Sequence, residues 1–282
     1  MQTSDKEDGL ELVLGAGGVK GYLHIGLLRA VEELGLKVTH YTGVSVGSIV
    51  ATLAANGWTS SKILKHFLDS HDRSKNPLFL ASAFAQADLV SVMLGQPMFS
   101  LESSWKEQVK EMGISPQANL RIVACDSADK SAFLFEGTDY DLGTALSASG
   151  SFPAVFRPVR YQGKVLVDGA VFHRNPDQFC KGQAIVSQLG FATRMPEELL
   201  DPISAYFHYR EVYFPFVRQE TAVDTKRHVL IEQQADDVCG LSFGLSKKRC
   251  QQMYEDGYKH SKRILLDAIK EGKITCSTAT NN

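Results

Sequence analysis

The sequence predicts an α/β fold with a parallel sheet covered on both faces. Two strand, glycine-turn, helix units follow one another within the first sixty residues, and parallel strands joined this way need crossover helices lying on the sheet. The chain is also the right size and balance for such a fold. Its 282 residues are 44% hydrophobic and 22% charged, the composition of an ordinary globular chain and enough for one large core.

The first strand is the apolar run Leu10, Leu12, Val13 and Leu14, stopped by Gly15-Ala16-Gly17-Gly18. From Gly21 onward Leu23, Leu27, Ala30, Val31 and Leu34 recur at three- and four-residue steps, which predicts a helix that Gly35 ends in a left-handed turn. The β-branched and aromatic run Val38 to Thr42 is the next strand. Gly43-Val44-Ser45-Val46-Gly47 turns the chain, and the apolar stretch Ser48 to Ala55 continues as a helix until Asn56-Gly57. Further strands are expected at Leu120 to Ala124, Ala132 to Phe135 and Val165 to Val167, and a long helix at Lys247 to Lys270 with Tyr254, Tyr258, Leu265 and Ile269 on one stripe.

Two apolar segments have two readings each. Asn76 to Phe99 is either helix buried in the core or a lid or acyl-chain wall, and the aromatic crowd from Tyr206 to Phe216 is either packing or a lipid-facing rim. The expected organisation is a flexible 1–9, a single domain over 10–272 with 191–245 as a specificity insertion, and a polar tail over 273–282.

Charge and cysteine usage exclude several function classes. Thirty Lys and Arg against 32 Asp and Glu leave a formal charge of −2, so the whole chain has no field that would draw it to nucleic acid. The five cysteines, Cys125, Cys180, Cys239, Cys250 and Cys276, contain no C-x-x-C pair and are irregularly spaced, unlike a disulfide scaffold or a zinc ribbon. His66, Asp69, His71 and Asp72 cluster, but their spacing fits no standard zinc site and reads as a solvated helix end. The acidic start is the wrong sign for a signal peptide, and no apolar run approaches the ~20 residues of a spanning helix. The expected setting is cytoplasmic and reducing, peripheral to membranes, or export without a cleaved signal.

The chemistry-bearing motif is G-x-S-x-G at Gly43 to Gly47, set between a strand and a helix. In that setting the serine sits on a tight elbow, with small neighbours because the turn is sharp, and the following helix dipole favours developing negative charge. The bland alternative is a βα turn with an N-capping serine. A serine nucleophile also needs an oxyanion hole and a base. Gly17 and Gly18 lie at the mouth of the preceding βα unit, where two backbone N–H groups can face a substrate oxygen. Lys20 either orients that loop or attracts an anionic head group. The loop is not a Walker A sequence, because Lys20-Gly21-Tyr22 stands where Gly-Lys-Ser/Thr is required, and it lacks the third glycine of a dinucleotide loop.

Only 42 residues precede Gly43, too few for the strands an α/β-hydrolase builds before its elbow, so the Ser, Asp, His order of that fold is not expected. The carboxylate in a matching strand-to-turn setting is Asp168, in Val165-Leu166-Val167-Asp168-Gly169-Ala170. Burial at a strand end raises carboxylate basicity, which would let one Asp serve as base without histidine. An ordinary Asp-Gly turn is the competing reading.

Together these residues resemble the patatin-like phospholipase family. Leu14-Gly15-Ala16-Gly17-Gly18-Val19-Lys20-Gly21 is similar to the family's oxyanion loop, Gly43 to Gly47 to its elbow, and Asp168-Gly169-Ala170 to its Asp-Gly-Gly/Ala element. Ala145 to Pro153, Phe156-Arg157-Pro158-Val159 and Asn175-Pro176 are similar to its small-residue helix and Pro turns, and Gly257-Tyr258 is a weaker echo. Ala16 stands where the family usually has Gly, and Lys20 where many relatives have Arg, which keeps the charge and loses bidentate contact.

The resemblance implies a three-layer α/β/α sandwich and a calcium-independent lipid acyl hydrolase. Ser45 is then the nucleophile and Asp168 its proton acceptor, with Gly17 and Gly18 as oxyanion donors and Lys20 and Gly21 as loop support. Gly43, Gly47, Gly169 and Ala170 shape the turns. No cofactor or metal is expected, and the substrate would be a phospholipid or lysophospholipid at a membrane or micelle surface. Two other readings stay open: a soluble esterase or thioesterase with a Ser-Asp-His triad, drawing on His173, His208, His228 or His260, and a lipid-binding regulator without turnover. Lys247-Lys248-Arg249 reads as a solvated face or a head-group contact.

Overall fold

The computed structural model describes residues 9–74, 100–153, 155–173, 176–196, 208, 209, 212, 222–242 and 244–275. The expectations for 76–99, for Asn175, for Cys276 and for most of 206–216 fall outside the described residues.

The chain opens with β1 (Leu10–Leu14), a short 3-10 turn Gly18–Lys20, α1 (Gly21–Glu33), β2 (Val38–Val44) and α2 (Val46–Ala55), the two strand-helix units foreseen, and α3 (Ser60–Ser74), which was not. Then follow α4 (Glu102–Met112), β3 (Leu120–Asp126), β4 (Ala132–Phe135), α5 (Leu142–Gly150), β5 (Val159–Tyr161), β6 (Lys164–Asp168), β7 (Ala184–Leu189), β8 (Val229–Gln233) and α6 (Lys247–Lys270). Gly35 stops α1 with φ 62°. Asp141 caps α5 by accepting the Thr144 amide at 2.7 Å, and Ser246 caps α6 by accepting the Arg249 amide at 3.2 Å.

The strands form one mixed sheet whose hydrogen-bonded path runs β5-β6-β3-β2-β1-β7-β8, with β4 also paired to β3. The run β3-β2-β1-β7-β8 is parallel, and β4, β5 and β6 are antiparallel to their neighbours. The α/β class with a central sheet flanked by helices is therefore observed. β1 and β3 are buried on both faces, as central parallel strands must be. Leu12, Leu14, Ile122, Ala124 and Ile185 point into the large core with α1, α2, α5 and α6, while Val13, Val123, Val44 and Val186 point to the other face.

β2 runs two residues past its expected end because its ladder with β3 continues to the Val44–Val123 pair. α2 therefore begins at Val46, not at Ser45 or Ser48, and a single residue separates strand from helix. β5, β7 and β8 were not foreseen. β8 lies within 191–245, so part of that stretch extends the central sheet through its pairing with β7.

Candidate active site

Ser45 is that single linking residue, with φ 55° and ψ −128°, a conformation L-residues rarely adopt. The elbow is this tight because α2 starts almost on top of β1 and β2. A Cβ on Gly43 would strike the Gly47 carbonyl, and a Cβ on Gly47 would strike the Leu14 carbonyl. Hydrogen bonds from α2 and α5 brace the strained peptide, among them one from the Ser48 amide to the Ser45 carbonyl at 3.0 Å. The Ser45 amide donates to Ser149 Oγ at 2.9 Å, Ser149 Oγ donates to the Val123 carbonyl at 2.7 Å, and Ser48 Oγ donates to the Ser45 carbonyl at 2.6 Å. The Ser45 hydroxyl is left unpaired among the described residues, and the side chain is half-buried.

The sheet itself brings Asp168 to this serine. Ile122 and Val123 of β3 pair with both β2 and β4, while Ala124 and Cys125 pair with both β4 and β6. A strand has only two hydrogen-bonding edges, so β2 and β6 occupy the same edge of β3, end to end. Val44 lies opposite Val123 and Asp168 opposite the next residue, Ala124. The end of β2, which delivers Ser45, thus abuts the end of β6, which delivers Asp168. A Cβ on Gly169 would press on Val44 and on the Val123 carbonyl.

Asp168 is 2% exposed. Its Oδ1 accepts the Ala170 amide at 2.8 Å, and its own amide donates to the Ser151 carbonyl at 3.0 Å. The side chain therefore caps the 3-10 turn Gly169–Val171 while staying on the sheet edge.

The glycine loop closes the site. Gly18 has φ 55° and packs so closely on the Gly240 carbonyl that a Cβ there has no room. That carbonyl accepts the Val19 amide at 2.9 Å, and the Gly17 carbonyl accepts the Lys20 amide at 3.2 Å. The Gly17 and Gly18 amides have no hydrogen-bond partner among the described residues. Ala16 of the loop, Val44 of the elbow, Ala170 of the Asp turn and Val123 beneath them form one apolar cluster. Three motifs far apart in sequence thereby share one small patch above β3.

Lys20 is 1% exposed and its Nζ donates to the Gly190 carbonyl at 2.6 Å. It ties the loop to the end of β7, and a surface head group has no access to it. The candidate third members of a triad have other partners: His173 Nε2 bonds the Lys130 carbonyl at 3.2 Å, His208 Nε2 the Arg194 carbonyl at 2.8 Å, and His228 Nδ1 the Ala184 amide at 3.1 Å. His260 lies on α6. Cys125, opposite Val167 in the ladder and one residue past Asp168's partner Ala124, is fully buried, and burial pushes its thiol up to about 11.

Sequence reasoning missed Ser149 and Gly240. Ser149 lay in the small-residue helix, whose composition hinted at close packing, and nothing local marks Gly240. Among the described residues no group of three or more His, Cys, Asp or Glu side chains is placed to hold a metal, and no helix is long and apolar enough to cross a membrane.

A family model for patatin-like phospholipases matches residues 12–177, the span that holds the glycine loop, the elbow and Asp168. NTE family proteins of Mycobacterium tuberculosis and Mycobacterium bovis, named as uncharacterized, are 28% identical over 173 residues, 58% of this chain and 43% of each of theirs. The match thus spans less than half the length of those relatives. Patatin-like phospholipase domain-containing protein 6 of Homo sapiens is 43% identical over 53 residues, 19% of this chain and 4% of that protein. VipD from Legionella pneumophila superposes with a TM-score of 0.54 at 14% identity, covering 92% of this chain and 67% of that one, a likeness of fold.

Proposed function

The chain belongs to the patatin-like phospholipase family, and from that premise we propose that it is a calcium-independent lipid acyl hydrolase working through Ser45 and Asp168. The observation that supports this best is the end-to-end meeting of β2 and β6 on one edge of β3, which sets a strained serine elbow against a buried carboxylate. The unpaired Gly17 and Gly18 amides, which follow Ala16 of the apolar cluster at the elbow, are the proposed donors to the oxyanion.

In the proposed reaction the Asp168 carboxylate takes the proton from Ser45 Oγ as Oγ bonds to the ester carbonyl carbon. The carbonyl oxygen becomes the oxyanion held by the Gly17 and Gly18 amides. The C–O bond to the leaving alcohol then breaks, and the alcohol leaves with the proton from Asp168, giving acyl-Ser45. Water attacks that ester and gives a proton to Asp168. The acyl carbon–Oγ bond breaks, the proton returns to Oγ, and a fatty acid departs. The backbone amides stabilise the charge, so no metal enters a step. His173, His208 and His228 bond elsewhere, which favours the dyad over a triad.

The substrate proposed is a phospholipid or lysophospholipid. The test measures fatty acids released from phospholipids, lysophospholipids and triacylglycerols in EDTA, with wild type beside Ser45→Ala, together with acyl-phosphonate labelling of Ser45. Release and labelling by wild type alone are expected. Equal release by the folded Ser45→Ala protein would overturn the assignment.

A further inference from the structure

We infer that His24 is a positioning residue, clamping the entrance of the glycine loop through a directed hydrogen-bond relay that runs from Gln233 through Ser187 to the Gly15 carbonyl. His24 lies in the first turn of α1, four residues past Lys20, and is fully buried. Its Nε2 is 2.8 Å from the Gly15 carbonyl and its Nδ1 is 3.0 Å from Ser187 Oγ. Gln233 Nε2 donates to that same Oγ at 2.8 Å. Ser187 and Gln233 are also buried and belong to neighbouring strands, β7 and β8.

The proton positions follow from what each partner can do. A carbonyl only accepts, so Nε2 carries the hydrogen and Nδ1 offers a lone pair. The Ser187 hydroxyl then donates to Nδ1 and receives the Gln233 amide hydrogen. Every hydrogen in the relay points toward Gly15. Burial favours the neutral ring this arrangement needs: it drives the imidazole down to about 4, against the opposing pull of the Gly15 carbonyl. No charged side chain enters that balance; the nearest loop cation, Lys20, is held on the Gly190 carbonyl.

What the relay secures is the peptide just before the candidate oxyanion donors. The Gly15 amide donates to the Ser187 carbonyl at 2.9 Å, and the Gly15 carbonyl accepts from His24, so one peptide unit on each side of Gly15 is tied down. The far end of the loop is tied by Val19 to Gly240 and by Lys20 to Gly190. Between these anchors Gly17 and Gly18 keep their amides unpaired at fixed positions. Preorganised donors matter most when charge develops, so loosening this clamp acts on kcat more than on KM. That kinetic consequence rests on the acyl-hydrolase reading, whereas the clamp itself does not.

The test therefore has an arm independent of turnover. Amide hydrogen exchange across Gly15–Val19 is measured at neutral pH for wild type, His24→Ala, His24→Gln and Ser187→Ala. His24→Ala is expected to speed exchange in the loop about tenfold or more without a matching change in α6. His24→Gln, whose amide can reach the Gly15 carbonyl, is expected to restore most of the protection, with Ser187→Ala between the two. If His24→Ala does not fold, the Gln and Ser187 variants still carry the comparison. In the activity arm kcat for ester hydrolysis falls about 10- to 100-fold in His24→Ala, with KM within about twofold and with Gln rescuing. Loop exchange unchanged in the variants, or raised evenly over the whole chain, would overturn the clamp. A wild type that releases no fatty acid and takes no phosphonate label would overturn the hydrolase reading, and the exchange arm would still decide the clamp.

Discussion

Acidification is the sharpest physical probe of the buried His24. In the unfolded chain its imidazole titrates near 6.5, and in the folded protein burial lowers it to about 4. Between those values the unfolded chain binds a proton that the folded chain does not, so stability falls as pH drops through that window and levels off below it. At about 1.36 kcal/mol per pH unit, the gap corresponds to about 3 kcal/mol, a large part of the ~5–15 kcal/mol that holds a typical domain together. Other groups titrate in the same window. The partly buried His228, lowered by burial and by Arg227, contributes its own slope there, while Asp126, held down by its bond to Lys164, contributes below that window. Comparison with His24→Gln removes them, because they are present in both proteins and Gln does not titrate. Urea unfolding of both proteins at several pH values from 7.5 to about 4 is the assay. The stability advantage of wild type over the variant is expected to shrink by about 1 kcal/mol per pH unit below 6.5 and to be about 2–3 kcal/mol smaller near pH 4.5. Parallel profiles with a constant difference would refute the buried neutral imidazole.

Three further outcomes follow from the site geometry. Asp168→Asn is expected to keep the fold and lower kcat for ester hydrolysis by about 10²–10⁴, the usual reach of a general base; near-wild-type turnover would remove Asp168 from the proton-accepting role. Ser149→Ala takes away the acceptor for the strained Ser45 amide, so a loss of about 1–2 kcal/mol in urea unfolding is expected together with a reduced kcat. Cys125 should resist iodoacetamide at pH 8 in the native protein and react in urea, since it is fully buried with its thiol held up to about 11. Fast native labelling would contradict that packing.

Much of the scaffold was legible in the sequence because its signals are local. The glycines at 15, 17 and 18, the three- and four-residue apolar steps of α1 and the β-branched run of β2 each mark their element through short-range sterics. The three motifs were legible for the same reason: an elbow, a bare-amide loop and an Asp turn each need small residues where the backbone is crowded. Less legible were the ends and the short strands. β2 extends to Val44 only because Val123 is beside it, and β5 is three residues that, among the described residues, pair with β6 alone.

The sequence by itself determined the family's motifs, the glycine loop, the Gly43 to Gly47 elbow and the Asp168 turn, and the local geometry that presents them. Only the tertiary structure decided that β2 and β6 share one edge of β3, that Ser149 from α5 and Gly240 beyond β8 brace the elbow and the loop, and that Lys20 and His24 are buried struts. The bonds that decide this, including His24 to Ser187, join segments far apart in the chain. A hydrogen bond or a close packing contact across such a distance leaves no periodicity in either segment, so it becomes visible only once the sheet has set its strand order.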